Sequence, residues 1–294
     1  MSNGLSPPAK GGGPSHLSVD VETAKRRLLD RPPSRAMTAI RKTTVFVSYI
    51  RRQASFWLSL AIGIVAWEIA GRSTSQAFMV PFSTTVANLW GLAKTGEFAR
   101  QFFDSAQLFL LGFILALAIG MPLGMLLARV RVLRIGIEPY IMIIYATPLV
   151  ALIPFILSLM GFGFAPKVLV VFLFAVFPVI YNTVEGARSI KPELIEVARS
   201  FRSNEWALWR EVLLPYTLPY IMTGVRQAIG RALVGMVAAE FFLSSTGLGQ
   251  LIMGASQNFD TGGVFASILV IGLIGVGLMR IGLMIEQHFA RWRQ

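Results

Sequence analysis

The sequence predicts an all-α polytopic membrane protein with about six transmembrane helices, and three observations lead to that prediction. Apolar residues make up 54% of the chain and charged residues only 14%, whereas a soluble domain carries about a quarter charged residues. Several stretches of about 20 residues are almost free of charge, which is the length that a helix needs to cross a bilayer. The Lys and Arg residues gather between those stretches. Membrane topology therefore explains the net charge of +12 better than nucleic acid does, and no nucleic-acid partner is expected.

Six apolar stretches are predicted as spans, and they divide the chain into three regions. The spans cover residues 56–70, 105–128, 138–161, 167–184, 217–242 and 264–286. Residues 1–55 are predicted as a basic, largely disordered tail. Glycine, proline and charge leave residues 1–40 too little apolar surface to offset the ordering entropy, and residues 40–52 are interpreted as a solvated lead-in or as a helix on the inner leaflet. Residues 56–104 comprise the first span and an outer segment. Residues 105–294 form the core of the protein, with a loop at 185–215 between the fourth and fifth spans.

The distribution of positive charge predicts the orientation of these spans. Of the 27 Lys and Arg residues, only Arg72, Lys94, Arg100 and Lys167 fall on segments predicted to lie outside the cytoplasm. Lys and Arg in short loops favour the cytoplasmic side of a membrane. The N-terminus, the loop 185–215 and the C-terminus are therefore predicted to be cytoplasmic.

The residue types exclude most catalytic chemistry. The chain has no cysteine and only two histidines, His16 and His288, so a thiolate or histidine metal site is not expected. It also lacks a Gly-x-x-x-x-Gly-Lys-[Ser/Thr] phosphate loop. We expect no catalytic residue, no bound metal and no cofactor on this chain. An ion-coupled secondary transporter is the alternative class, but neither repeated halves nor coupling groups at the membrane centre are evident.

The loop 185–215 contains two short amphipathic helices. Pro192 suits a first helical position, and Leu194, Val197, Ala198 and Phe201 follow at the spacing of one helical face. The small side chain of Ala198 would allow a partner to approach closely on that face. The apolar face requires a cover, which is either the lipid headgroup region or a partner protein.

The second helix of the loop carries its own apolar stripe. Trp206, Trp209 and Leu213 form that stripe, and either Ser203 or Asn204 can cap its start. The two helices therefore lie in sequence across the inner face between two long spans.

The order of residues in this loop resembles the EAA loop of ABC importer permeases. That motif is Glu-Ala-Ala, three residues, Gly, nine residues, an aliphatic residue, any residue, and Leu-Pro. The corresponding residues here are Glu196, Val197, Ala198, Arg202, Val212, Leu213, Leu214 and Pro215. The length, the spacing and the position before the penultimate span all match. The resemblance extends over about 109–289 to permeases of the nitrate, sulfonate and taurine group, notably at 230–242 and 245–252.

The resemblance implies the type I ABC importer permease fold in a bacterial inner membrane. It implies several partners: ATPase subunits that use ATP and Mg²⁺, a second copy of this chain in a homodimer, a periplasmic binding protein and the membrane lipid. It implies that the chain translocates a small anionic nutrient such as a sulfonate, taurine or nitrate, with a neutral or aromatic nutrient as the alternative. The residues to which it assigns ATPase coupling are Leu194, Glu196, Val197, Ala198, Phe201, Arg202, Leu214 and Pro215.

One residue departs from the family pattern. Arg202 occupies the glycine position, where glycine would permit a left-handed turn between the two helices. Asn204 tolerates a left-handed conformation. The turn is therefore expected to be displaced towards Asn204.

Three ionisable residues lie within the predicted fifth span and are candidates for the translocation path. These are Arg226, Arg231 and Glu240, because a charge at such depth usually faces protein or water. Two interpretations fit Arg231: it contributes positive potential to an anion path, or it pairs with a group on another span. Glu240 is interpreted in addition as an outer packing or gating residue.

Four glycines within the spans are predicted to allow close approach of helices. They are Gly120, Gly124, Gly230 and Gly235.

Overall fold

The computed structural model describes residues 35–94, 96–243 and 246–290. The predicted disorder of residues 1–34 lies outside the described residues. In the described part of the predicted tail, residues 35–55, a helix begins at Arg35. The compact unit Ala66–Gln294 contains every later element.

The described residues form helices joined by short connections. The helices are α1 (Arg35–Ser73), α2 (Phe82–Lys94), α3 (Glu97–Arg129), α4 (Arg131–Ala146), α5 (Ile153–Met160), α6 (Phe164–Arg188), α7 (Pro192–Ser200), α8 (Glu205–Ala207), α9 (Leu214–Leu243), α10 (Leu248–Gln257) and α11 (Thr261–Ala290). A 3-10 turn, Leu149–Leu152, precedes α5, and a π-helical turn, Leu208–Leu213, joins α8 to α9. The described part of the chain contains no strand, so the all-α prediction is confirmed.

Several of these helices match the predicted spans. Four segments are long and apolar enough to cross a membrane: Ala54–Ser73, Glu97–Arg129, Phe164–Arg188 and Thr261–Phe289. The bent pair α4 and α5 adds a fifth if it is counted as one span. The helix α9 occupies the predicted fifth span and has 30 residues, but the charges at Arg226, Arg231 and Glu240 make it more polar than the others.

The third predicted span, 138–161, corresponds to the bent pair α4 and α5 and not to one continuous helix. The helix α4 ends at Ala146, and the chain turns by 94° before it continues through the 3-10 turn into α5. Pro148 explains the break, because proline has no N–H and forces the preceding residue into an extended conformation. Thr147 accordingly has a ψ of 136°.

The helices α3, α6 and α9 form the centre of the bundle, with α6 in the middle. Glycines on α3 allow close contact, because a Cβ built at Gly124 would lie 2.7 Å from Thr183 Cβ and one at Gly120 would lie 3.0 Å from Val179. On the other side of α6, a Cβ at Gly235 would lie 2.9 Å from Phe174. Three of the four predicted glycine contacts are therefore confirmed.

Gly230 is the exception among the four glycines. A Cβ at this position would meet only Met279 Sδ, at 3.5 Å, which is ordinary van der Waals contact. The helix α11 therefore does not approach α9 closely at Gly230, and that prediction is wrong.

Candidate functional site

The helix α7 presents an apolar face that its own chain does not cover. Leu194 is exposed, Val197 is 54% exposed and Phe201, which follows the helix, is 81% exposed. These three residues lie along one side of the helix, as their spacing predicted. Glu196 is also exposed. A face of this kind is typical of a protein or membrane contact.

Ala198 lies at the edge of that apolar stripe and is covered by the protein itself, which differs from the expectation. Only 8% of the residue is exposed, and it belongs to a small apolar cluster with Met125, Ile190, Leu208 and Leu213. The cluster packs α7 against the end of α3 and against the π-helical turn that precedes α9. Ala198 is therefore not open to a partner, and its role is to hold α7 on the bundle.

The turn after α7 passes through Arg202, which takes the left-handed conformation with φ +56°. The backbone N–H of Arg202 donates to Arg199 O at 2.8 Å, and that of Ser203 donates to Ala198 O at 3.2 Å. These two bonds form a Schellman motif with Arg202 at the position that glycine usually occupies. Arg202 therefore adopts the conformation that glycine would supply.

Asn204 does not take over the turn, so the predicted displacement is wrong. Its backbone is extended, with φ −72° and ψ 166°. Its side-chain Oδ1 instead accepts a hydrogen bond from the N–H of Ala207 at 2.7 Å, which is the cap predicted for Ser203 or Asn204.

We expect the substitution Arg202→Gly to stabilise the subunit slightly. A left-handed non-glycine residue costs roughly 1–2 kcal/mol, and the greater freedom of glycine in the unfolded chain offsets about 0.5–1 kcal/mol of the relief. The thermal unfolding midpoint of the purified subunit should stay level or rise by one or two degrees, on the order of what such a gain gives. Arg202→Val, which is β-branched, should lower the midpoint. A lower midpoint for the glycine variant would contradict the importance of this turn.

The loop is also tied to the spans by polar contacts. Arg129 at the end of α3 forms an ion pair with Glu205 at 3.0 Å, although its exposed position limits its contribution to about 1 kcal/mol or less. Tyr216 Oη donates to Ser189 O at 3.1 Å. Leu214 and Pro215 begin α9 and are exposed. The N-terminal end of α9 therefore follows directly from the loop.

Arg231 lies on an exposed side of α9 beside aromatic rings. Its guanidinium carbon is 5.8 Å from the centroid of the Tyr145 ring, within the range of a cation–π contact. The Tyr145 ring is in turn 5.6 Å from the ring of Phe177 and 5.3 Å from that of Tyr181. Residues from α4, α6 and α9 thus meet here.

The same side of the bundle carries two amides. Asn182 Nδ2 donates to Pro178 O at 2.8 Å and lies 3.3 Å from Gln227 Oε1. Gln227 and Arg231 are both exposed, one turn apart on α9. A polar face within a span is costly against lipid, so it is expected to face water or protein.

Arg226 differs from Arg231 because it has a carboxylate partner. Its Nε lies 2.5 Å from Glu286 Oε2 on α11, and Thr223 Oγ1 donates to Glu286 Oε1 at 2.7 Å. This is the kind of pairing across spans that was left open for Arg231. We therefore do not assign Arg226 to the path.

Glu240 is buried near the C-terminal end of α9, with only 1% of the residue exposed. Ser105 Oγ donates to Glu240 Oε1 at 2.5 Å, and the N–H of Gly249 donates to Glu240 Oε2 at 2.7 Å. A Cβ at Gly247 would collide with the carboxylate of Glu240, and one at Gly249 would lie 2.8 Å from Glu240 Cβ. The interpretation of Glu240 as an outer packing residue fits this geometry better than a place in the path.

Two residues of this network were missed by the sequence analysis. The N–H of Gly247 donates to Gln101 Oε1 at 2.5 Å, and the N–H of Leu248 donates to Ser105 Oγ at 2.7 Å. Together with Glu240 they satisfy three consecutive N–H groups at the start of α10, which a helix cannot satisfy itself. The spacing of Gln101 and Ser105 could have indicated these contacts, because they are two polar residues one turn apart on an apolar helix.

Comparison with known proteins agrees with this architecture. Residues 120–291 match the family described as binding-protein-dependent transport system inner membrane component. The chain belongs to this family. It is 31% identical to a putative aliphatic sulfonates transport permease protein of Bacillus subtilis, over 79% of this chain and 85% of the relative. It is 35% identical to the riboflavin transport system permease protein of Chloroflexus aurantiacus, over 80% and 88%.

A solved structure supports the fold of the permease. The inward-facing MetNI methionine ABC transporter aligns with a TM-score of 0.58 and 17% identity, over 67% of this permease and 98% of the solved chain. The type I importer permease fold implied by the resemblance is therefore confirmed, as is the recognition of the chain as an ABC importer permease.

Proposed function

We propose that this permease takes a small anionic nutrient, of the sulfonate, taurine or nitrate kind, from a periplasmic binding protein and is driven by ATPase subunits bound at its loop 185–215. The observation that supports this proposal is the exposed apolar face of Leu194, Val197 and Phe201 on a helix fixed to the bundle. The ATPase would use ATP and Mg²⁺. The permease itself would bind neither of them and catalyse no reaction.

The packing of α7 explains how a docked ATPase would act on the spans. A groove on the ATPase covers the exposed face, and Glu196 beside it accepts a charge-assisted hydrogen bond from a basic residue of that partner. Because Ala198 packs against Leu208 and Leu213, a movement of α7 is passed to the start of α9 at Leu214 and Pro215. The spans then reorient together with the loop.

The orientation follows from the positive charges. The chain is a multi-pass protein of a family of inner-membrane transport components. The N-terminus, the loop 185–215 and the C-terminus are proposed to face the cytoplasm. In this orientation the connections at 74–96, 161–163 and 244–260 lie on the periplasmic side. ATPase docking through α7 requires the same orientation, so one experiment tests both.

Arg231 gives the path its proposed preference for anions. Its side chain is exposed on a polar side of the bundle with Gln227 and Asn182, and such a side is disfavoured in contact with lipid. A second copy of the chain in a homodimer would enclose this side in a central path with two guanidinium groups. The name of the sulfonate permease among the relatives indicates an anionic cargo, which agrees with the proposal.

An aromatic nutrient is the second candidate cargo. The rings of Tyr145, Phe177 and Tyr181 beside Arg231 offer stacking surfaces, and a riboflavin permease is among the relatives. Calorimetric titration of the system's binding protein with taurine, nitrate and riboflavin distinguishes the two cargo classes. Binding of riboflavin alone would replace the anion proposal.

The proposed function is tested with three variants in proteoliposomes that contain the ATPase. Val197→Asp places a charge in the docking face, so the ATPase should no longer co-purify and transport should be lost. Arg231→Gln should retain the ATPase but slow transport about tenfold, the effect of losing about 1.4 kcal/mol of favourable potential. Ser200→Asp, exposed on the same helix but outside the apolar face, is the control and should behave like the unsubstituted protein.

Two outcomes would contradict these assignments. If Val197→Asp binds its ATPase and transports normally, the helix α7 is only a membrane-surface element and both coupling and orientation lose their support. If Arg231→Gln transports at the normal rate, the guanidinium has a structural role with Tyr145.

A further inference from the structure

The turn between α10 and α11 holds a phenylalanine in an unfavourable backbone conformation. Phe259 has φ +55°, and its N–H donates to Ser256 O at 3.1 Å while that of Asp260 donates to Ala255 O at 2.9 Å. This is a second Schellman motif, again without glycine at the left-handed position. A bulky residue in this region is a rare outlier.

The side chain of Phe259 makes almost no contact that would compensate for this strain. It is 93% exposed, so the ring points away from the rest of the protein. Strained residues of this kind concentrate at functional positions, because the surrounding structure has to maintain them. An exposed aromatic ring on a turn held by two backbone hydrogen bonds is also typical of the residues that dominate protein interfaces.

A second exposed phenylalanine lies near this turn. Thr261 Oγ1 donates to Ala77 O at 3.0 Å, which brings the loop before α2 beside the turn. The next residue of that loop, Phe78, is 79% exposed. In the proposed orientation both rings are on the periplasmic side.

A polar cleft adjoins Phe259 and indicates what covers it. The cleft has a volume of about 590 Å³ and lies between α2, α3, α10 and α11. Its polar lining consists of two carboxylates and several amides, among them Glu97, Asp260, Asn88, Gln101 and Asn258. Asn258 and Asp260 flank Phe259 in the chain, so the ring lies at the edge of the cleft.

The chemistry of the cleft selects a soluble partner over lipid. A cleft lined by amides and carboxylates is costly against hydrocarbon, and no Lys or Arg is among the residues that line it. A partner that presents Lys, Arg or amide N–H donors would complement it. A second copy would bring the same carboxylates, Glu97 and Asp260, against one another, which is unfavourable.

We infer that Phe259 and the polar cleft beside it form a contact site for the binding protein that delivers substrate, with the ring entering an apolar depression and basic groups entering the cleft. This inference rests on the proposed function and its orientation. The turn holds the backbone that carries the ring in place before the encounter, which lowers the entropy cost of docking.

The experiment measures ATP hydrolysis by the complete transporter in nanodiscs as its purified binding protein is added. Phe259→Gly removes the ring but suits the left-handed turn, so the variant should fold normally. The concentration of binding protein that gives half-maximal stimulation should rise about tenfold at an unchanged maximal rate. Glu97→Lys should raise it as well, because it repels basic groups. Phe103→Ala, which removes an exposed ring of α3 that does not line the cleft, is the control and should leave it unchanged.

Three results would overturn the inference. An unchanged half-maximal concentration for Phe259→Gly would show that the ring does not contact the binding protein. A lower number of permease copies per complex in that variant, measured by light scattering, would assign the ring to the interface between copies. Absence of any stimulation in the unsubstituted transporter would refute the proposed function itself, and the inference with it.

Discussion

Replacing Glu240 by alanine is expected to release the start of α10 from the bundle. The carboxylate accepts hydrogen bonds from Ser105 Oγ and from the N–H of Gly249, and the substitution leaves both donors buried without an acceptor. Each unsatisfied donor costs about 1–3 kcal/mol, and the cavity left by the side chain adds to this cost. We expect the local stability of this junction to fall by about 3 kcal/mol.

Hydrogen exchange measures this effect at the residues concerned. A loss of about 3 kcal/mol should speed exchange of the amides of Gly247, Leu248 and Gly249 roughly 100-fold, because protection reports the free energy of local opening. Glu97→Ala removes an exposed carboxylate that makes no such bond and is the control. Glu240→Gln keeps one carbonyl acceptor and should have an intermediate effect. Unchanged protection in Glu240→Ala would show that α10 is held mainly by its apolar contacts.

Much of the fold could be predicted from the sequence because hydropathy and charge report directly on the membrane. The first span, predicted at 56–70, lies within Ala54–Ser73, and the fourth, predicted at 167–184, lies within Phe164–Arg188. The break at Pro148 could not be predicted. Proline within a span is compatible with a gentle bend or a complete break, and the neighbouring helices decide which one occurs.

The position of the loop 185–215 could be predicted from the sequence, but the side of its first helix that the protein covers could not. Helical spacing placed Leu194, Val197 and Ala198 on one side, yet a broad stripe does not show which of its edges the protein itself covers. The structure covers the edge with Ala198 and leaves Val197 open. The conformation of Arg202 was also inaccessible, because it is fixed by hydrogen bonds to the end of α7 and not by the preference of the residue.

The hydrogen-bond network around Glu240 could not be predicted from the sequence, for a different reason. It joins α3 to the consecutive helices α9 and α10, and Ser105 and Glu240 are separated by 135 positions. A local pattern can indicate that a buried carboxylate needs partners, but it does not identify them. The charge of Glu240 suggested a place in the path, whereas the contacts assign it to the anchoring of α10.

Replacing Gly124 by leucine is expected to prevent the folded permease from forming. A Cβ at this position would lie 2.7 Å from Thr183 Cβ and 3.0 Å from the backbone carbonyl oxygen of Ile180. Backbone atoms cannot move aside as the end of a flexible side chain can, so α3 and α6 would have to separate. Small residues at such contacts permit the van der Waals packing that holds helices together in a membrane. Overpacking usually costs about 1–3 kcal/mol, and a whole leucine side chain against a backbone should exceed that range.

Comparison with a second glycine separates this effect from a general intolerance of larger residues within a span. At Gly272 on α11 a Cβ would meet no atom within 4 Å, so Gly272→Leu should give a monodisperse subunit in normal yield. Gly124→Leu should give aggregated protein or none on size-exclusion chromatography, and Gly124→Ala should lower the thermal unfolding midpoint by several degrees. Because α6 contacts both α3 and α9, the loss of one contact should also weaken the other. A stable, monodisperse Gly124→Leu subunit would mean that α3 and α6 lie farther apart in the membrane than in this structure.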